Sequence, residues 1–165
     1  MDEILIRPAL RSDAAAIAAI YNQAVESTTA TFDTVPETVA ERECWLEEHT
    51  APQHPVLVAE MAGTIVGWSS LSRYSDRCAY VATVEISTYV DQGAQGRGIG
   101  PALTGAILEA GRAGGVHAVL SRICTENERS IRMAERAGFF EVGVMREVGS
   151  KFGRTLDVVL LERLL

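Results

Sequence analysis

Asp91-Gln92-Gly93-Ala94-Gln95-Gly96-Arg97-Gly98-Ile99-Gly100-Pro101 is the stretch on which the reading of this chain turns. It joins residues 80–90, rich in β-branched and aromatic side chains, to residues 101–113, where Leu103, Ala106, Ile107 and Ala110 share a helical face. The change of period predicts a strand running into a helix through a glycine turn. Glycine lets backbone N–H groups converge at close range, because no Cβ intervenes. The first N–H groups of a helix have no partner inside it, and the helix dipole favours an anion there. Pro101 suits the first turn, where a missing N–H costs nothing, and Arg97 adds a positive charge. Together these features predict a cradle for a pyrophosphate. The turn is not a Walker A loop, which needs Gly-Lys-Ser/Thr. It does not follow the dinucleotide fingerprint either: Pro101 stands where the third glycine would be, and Ser121 and Arg122 where a ribose-binding acid would be. An ordinary strand-to-helix loop with helix-capping glycines would use the same residues, so the turn alone leaves that alternative open.

Working outward, residues 4–7 read as a short strand stopped by Pro8. Ser12 reads as the N-cap of a helix that carries Ile17, Ile20, Tyr21, Ala24 and Val25 on one face. Residues 27–34 read as a threonine-rich loop around Phe32. Thr38 and Glu41 have capping-box spacing, which predicts a helix over 36–49. Residues 56–61 and 64–72 read as a hairpin about Ala62-Gly63, and 80–90 as a long strand. After the glycine turn and its helix come a strand at 117–123, a helix at 127–137 ended by Gly138, and strands at 140–148 and 155–161. The order β-α-α-β-β-β-α-β-α-β-β predicts an α/β fold of the α+β kind, a mixed sheet with helices on both faces, in one domain over 1–165.

Composition narrows the function. Of 165 residues, 47% are hydrophobic and 22% charged, and mean hydropathy is +0.10, which excludes a disordered chain. No apolar run approaches a bilayer span, and residues 1–10 lack the basic and apolar regions of a signal peptide. A cytoplasmic protein with no membrane partner is expected. The net charge is −7, from 15 bases and 22 acids, and there is no basic stripe, so no nucleic-acid partner is expected. Cys44, Cys78 and Cys124 are too scattered for a disulfide framework and read as packing or incidental thiols. His49, His54 and His117 have no metal-ligand spacing, so no metal is expected.

Along residues 80–90 the even positions are mostly apolar, and the odd positions Val81, Thr83, Glu85, Ser87 and Tyr89 more polar. Glu85 is the one carboxylate in that strand. Buried in a central sheet it is costly unless hydrogen-bonded or used, and desolvation would make it more basic. On an edge strand it would be an exposed acid.

Gln95-Gly96-Arg97-Gly98-Ile99-Gly100 resembles the Q/R-x-x-G-x-G/A motif of the GNAT superfamily of N-acetyltransferases. Three further stretches are similar to its phosphinothricin and methionine sulfoximine acetyltransferase branch. They are Tyr21 to Val25 with Thr28, Thr29 and Phe32; Thr83-Val84-Glu85; and Gly149-x-Lys151-x-Gly153 with Asp157-Val158. The resemblance covers nearly the whole chain and implies acetyl-CoA as co-substrate. It implies acetyl transfer to the α-amino group of a small amino-acid analogue by direct amine attack. In that scheme Glu85 is the base. Thr88, Tyr89 and Val90, where the strand splays, pair with the cofactor, and a backbone N–H near Tyr89 or Val90 meets the oxyanion. Gln95, Gly96, Arg97, Gly98, Ile99, Gly100 and Pro101 hold the pyrophosphate. Asn127, alternatively a plain N-cap, bonds the pantetheine arm with help from Ser130, while Glu126 faces solvent.

On the acceptor side, Arg73 and Arg77 would fork onto a carboxylate, and Phe32, Tyr74 and Tyr80 would wall a side-chain slot. Solvated arginines and ordinary packing are the alternatives. Lys151 and Asp157 read as a structural pair. A homodimer using the terminal strands is implied. Two departures stand out: Ala134 replaces a histidine common in the family, and Thr155 a tryptophan. Both bear on the acceptor and leave the acetyl-CoA half untouched. Acceptors of other kinds, a protein N-terminus or an amine metabolite, and a non-catalytic acyl-CoA sensor remain alternatives at this level.

Overall fold

The computed structural model describes residues 3–165. Seven strands form one sheet: β1 (Leu5–Pro8), β2 (Val56–Met61), β3 (Thr64–Arg73), β4 (Thr83–Val90), β5 (Ala118–Cys124), β6 (Phe140–Lys151) and β7 (Arg154–Leu164). Their spatial order is β1-β2-β3-β4-β5-β7-β6. Every neighbouring pair is antiparallel except β4 with β5, so the sheet is mixed as expected. Four helices, α1 (Ala14–Ser27), α2 (Val39–Glu48), α3 (Ile99–Ala113) and α4 (Glu128–Arg136), cover its two faces.

Strand alternation sorts the core. Leu57, Ala59, Leu71, Val84 and Val119 turn to one face and meet Ile99, Leu103 and Ile107 of α3 and Ala134 of α4. Val58 and Trp68 turn to the other and meet Ile17, Ile20, Tyr21 and Val25 of α1, with Trp45 of α2 against them. The buried face of α3 is centred on Leu103, Thr104, Ile107, Leu108 and Gly111, so the expected Ala106 and Ala110 lie at its margin.

Several boundaries differ from the sequence reading, each for a tertiary reason. Ser12 is not the N-cap of α1. A 3-10 turn at Arg11–Asp13 precedes that helix, because Asp13 turns back to accept from Leu10 N–H (2.7 Å) and from Arg7 (2.7 and 3.2 Å). Thr38 does cap α2 with Glu41 as its box partner, but the helix starts only at Val39. Glu37 upstream is tied instead to the Asn22 amide through both its N–H and its C=O, each at 2.8 Å. Tyr80 closes a 3-10 turn (Cys78–Tyr80), so the central strand begins at Thr83. The terminal strands run longer than expected and meet at Phe152-Gly153.

Two buried cations were not foreseen as such. Arg42 is 2% exposed, 4.4 Å from the Trp45 ring centre and 4.9 Å from that of Tyr21, and it contacts the Glu37 carboxylate. Lys151 does not pair with Asp157. Its ammonium donates to Thr31 C=O (2.8 Å) and Ala24 C=O (3.3 Å), while Asp157 accepts from Glu147 N–H (2.7 Å). Lys151 therefore fastens the loop after α1 to the end of β6.

Burial alone would raise the Asp13 carboxyl pKa, but the Arg7 ion pair and the Leu10 N–H outweigh it and hold it below the ordinary value. A depressed carboxyl stabilises the fold above the unfolded pKa, about 3.9, and that contribution is lost as pH falls through the folded value. Asp13→Asn is expected to cost about 1–3 kcal/mol in urea unfolding at pH 7. The gap to wild type should narrow at pH 3; a constant gap would deny the carboxylate this role.

Candidate active site

The site begins where the sheet comes apart. β4 and β5 share only three register pairs, Thr83 with Ala118, Val84 with Val119 and Glu85 with Leu120. Beyond Glu85 the two strands diverge. Backbone polar groups alternate sides along a strand. Ala82 C=O accepts from β5, at Ala118 N–H (3.1 Å), and Asp91 N–H reaches β3, at Val66 C=O (2.9 Å). The same alternation turns the backbone groups of Thr88 and Val90 into the gap, beyond the last register pair with β5.

The gap opens into a cleft of about 1060 Å³ at the α3 and α4 ends and a cavity of about 500 Å³ beside β4 and β5. Thr29, Ala30, Thr88, Tyr89, Asn127 and Ser130 line both, so the two spaces are continuous.

Side chains of α1 hold the glycine turn at the cleft. Gln23 donates to Asp91 (2.7 Å) and accepts from Gln92 N–H (2.9 Å), and Gln92 donates to Ser27 (2.8 Å). Gly98 caps α3 at φ +82°, a left-handed backbone that other residues adopt only with strain. Ala102 N–H finds Gly98 C=O (3.1 Å), leaving the N–H groups of Ile99 and Gly100 ahead of the first intrahelical bond, and Pro101 has none to leave. A Cβ on Gly100 would come within 3.0 Å of Met133 Sδ, so α3 starts pressed against α4.

Of the residues expected at the cofactor, Thr88, Tyr89 and Val90, Gln95 and Gly96, Gly98, Ile99, Gly100 and Pro101, and Asn127 and Ser130 all line this cleft. Arg97 does not; it is exposed on the outer side of the turn. Its place is taken by arginines that sequence reasoning passed over. Arg129, Arg132 and Arg136 recur on one face of α4, and Arg154 and Arg163 join them from β7. Their i, i+3, i+7 spacing was legible, but it reads equally as a solvated helix face. Arg129 reaches across to Gln95 (3.1 Å). Glu126 is exposed as expected, stands at the cleft rim and is held by Arg154 (2.6 and 3.1 Å), which lowers its pKa. Asn127 caps α4 through its oxygen, accepting from Ser130 N–H (3.2 Å), and its amide NH₂ stays available. This donor set fits a linear ligand that carries both amides and phosphates: an unpaired strand edge for the arm, orphan N–H groups and guanidiniums for the anionic end.

The smaller cavity holds Glu85, Phe32 and Tyr21, with Ala134 in its wall and Thr155 exposed away from it on β7. Gly149 is required beside Phe32, since a Cβ there would stand 2.0 Å from the ring. Burial raises the Tyr21 hydroxyl pKa, and its bond to Asp33 adds to this. Glu85 is not free: Arg122 of β5 grips it with two bonds, Nε to Oε1 (2.7 Å) and Nη2 to Oε2 (2.6 Å). Arg73, Tyr74, Arg77 and Tyr80 are not among the described residues lining the cavity. Arg73 is turned to Asp76 (3.1 Å), and the Tyr74 and Tyr80 rings meet edge-on at 5.3 Å. The cause is the late start of β4, which leaves these four on or beside an exposed turn. Among the described residues, no group of three His, Cys, Asp or Glu is placed to hold a metal.

Residues 6–160 match the family described as acetyltransferase (GNAT) domain. The chain belongs to the GNAT acetyltransferases. It is 40% identical over 164 residues to a phosphinothricin N-acetyltransferase of Streptomyces coelicolor, covering 98% of this chain and 96% of the relative. Identity to an L-methionine sulfoximine/L-methionine sulfone acetyltransferase of Pseudomonas aeruginosa is 37% over 158 residues, 95% of this chain and 92% of the other. The crystal structure of a GNAT-superfamily phosphinothricin acetyltransferase from Sinorhizobium meliloti in complex with acetyl-CoA superposes with a TM-score of 0.94. It is 31% identical and covers 98% of this chain and 88% of that one. The branch read from the motifs is thus the branch of these GNAT relatives.

Gly98→Val combines backbone strain, about 1–2 kcal/mol, with a side chain that would project where an added Cβ now meets no protein atom within 4 Å. Titration calorimetry should show at least a tenfold (~1.4 kcal/mol) loss of coenzyme A affinity. Unchanged affinity would mean that the turn does not receive the anion.

Proposed function

We propose that this chain, working as one domain over 1–165, transfers the acetyl group of acetyl-CoA to the α-amino group of a small amino-acid analogue. Methionine sulfoximine, methionine sulfone and phosphinothricin are the acceptor type. The observation that carries this reading is the parting of β4 from β5 at Glu85, which sets one carboxylate between a long cationic cleft and a smaller, partly apolar cavity.

In this reading the free backbone groups of Thr88 and Val90 take the pantetheine arm as a strand would, with the Asn127 amide and Ser130 beside it. The turn at residues 95–101 and the α4 arginines take the phosphates. The acceptor enters the smaller cavity against Phe32. Its amine loses a proton to Glu85 and attacks the thioester carbonyl. A backbone N–H facing the gap, that of Val90 best placed by the alternation, steadies the charge that develops on the oxygen. The C–S bond breaks, and the thiolate is a good enough leaving group to need little help. No acyl-enzyme is required. Cys44 and Cys78 are exposed and line neither space, and Cys124 is buried in the wall of the smaller cavity and not in the long cleft.

A homodimer and a reducing, cytoplasmic setting belong to the same proposal. β6 is the last strand of the sheet and leaves Phe140, Val142, Val144 and Val148 about half exposed along its length. Such an apolar edge needs a cover, and a second copy supplies one. No described helix is long and apolar enough to cross a membrane. Light scattering should give twice the chain mass, falling to one chain mass for Val142→Glu/Val144→Lys; a wild-type monomer would overturn this part.

The acceptor is tested by thiol release from acetyl-CoA with the three analogues, a peptide and a polyamine. Turnover is expected with the analogues. Tight acetyl-CoA binding with no turnover on any amine would overturn the proposal. Glu85→Gln should lower kcat about 100-fold or more and leave coenzyme A affinity within threefold. Equal kcat would remove Glu85 from the chemistry.

A further inference from the structure

The Glu85–Arg122 pair is the feature that the reaction as written above does not use. Leu120 is the register partner of Glu85, and Arg122 lies two residues on, hence on the same face of β5 and diagonally across the opening between the strands. The guanidinium closes on the carboxylate as a two-pronged fork, and both side chains line the cavity opposite Phe32. No other carboxylate pairs with Arg122 among the described residues, and its bond to Glu85 raises its pKa, so it stays charged. Both oxygens of Glu85 are therefore occupied at the place where an amine has to give up a proton.

Consider what different acceptors would have to do there. A simple amine arrives as an ammonium ion. To reach Glu85 it must pull the carboxylate away from Arg122 and leave the guanidinium, 59% exposed, to water alone, so one ion pair is exchanged for another with no net gain. A peptide N-terminus has the same difficulty, because an amide stands where a carboxylate would be. An α-amino acid brings both charges, one carbon apart. Its ammonium can take Glu85 while its carboxylate takes the fork of Arg122, and one ion pair becomes two with no charge left over.

Resting on the acetyl-transfer reading above, we propose that Arg122 is the anchor for the acceptor's α-carboxylate, and that it holds Glu85 masked until a carboxylate arrives to replace it. The anchor is then on β5 itself and not on the Arg73–Arg77 turn, whose side chains lie outside the cavity. The proton balance is simple. The ammonium proton passes to Glu85 as the carboxylate leaves the fork, and the free amine forms the new C–N bond. The nitrogen's second proton passes to the sulfur as the C–S bond breaks and the thiol is released, and Glu85 returns its proton to solvent. The arrangement restricts the substrate class to free amino acids and their close analogues and turns away peptides and polyamines.

The test compares methionine sulfone with its carboxamide, two acceptors with the same side chain and amine. Wild-type enzyme should prefer the acid by about 30-fold or more in kcat/KM, the worth of charge-assisted bonds to one carboxylate. In Arg122→Gln that preference should shrink to within about threefold, chiefly through a higher KM for the acid, with coenzyme A affinity unchanged. Arg122→Lys, which keeps the charge but loses the fork, should restore part of it. Wild-type enzyme that acetylates both equally, or an Arg122→Gln variant that keeps the preference, would overturn this role for Arg122 while leaving acetyl transfer standing. No thiol release from either acceptor, with acetyl-CoA bound, would overturn the transfer reading itself. The wild-type comparison needs no variant to fold.

Discussion

Two parallel strands that pair for three residues and then separate are the constraint from which the rest of this structure follows. Backbone donors and acceptors inside a protein have to be satisfied, and a strand in mid-sheet normally meets that demand on both edges. Beyond Glu85, β4 meets it on the β3 side only. The unpaired edge is tolerable because it faces a large open cleft, where water or a ligand with amide groups can complete it. The same divergence exposes the start of α3 and brings α4 over the opening. Strand edge, helix N-terminus and the smaller cavity thus share one continuous space.

The charge distribution is shaped around that space. The chain as a whole is acidic, yet five arginines line the cleft, and among the described residues lining it Glu126 is the one carboxylate, already held by Arg154. A field of that sign is suited to a polyanionic ligand and is dispersed through the fold rather than written as a basic run. In the smaller cavity the balance is different: one acid and one base closed on each other.

The wall of the smaller cavity is held from a distance. Lys151 reaches from β6 to the carbonyls of Ala24 and Thr31, and Gly149 leaves the room that the Phe32 ring fills. The loop that carries Phe32 is thereby set by the far end of the chain, which gives a physical sense to the glycines and lysine of the terminal hairpin. Arg42, buried among Tyr21, Trp45 and Trp68, secures the opposite side of the same loop through Glu37.

Much of this was legible without coordinates. Alternation and helical spacing placed every strand and helix to within a few residues. The glycine turn announced the passage from β4 into α3, since a strand, a turn and a helix start are contiguous in sequence and governed by local sterics. Glu85 was found because it is the lone acid in an otherwise uncharged strand. Its partner was not found, because Arg122 lies 37 residues away and meets it only through the β4–β5 register, a relation that no local period encodes. The cleft arginines were hidden for the same reason: a charged helix face looks alike whether it meets water or a ligand. Lys151 and the Arg73–Arg77 turn were misplaced because a side chain's partner, and the residue at which a strand begins, depend on what packs against them. Sequence by itself therefore determined the elements, their faces and the glycine turn between β4 and α3. The tertiary structure alone decided which charges meet across the opening, since that follows from where separate strands part and not from the order of residues within any one of them.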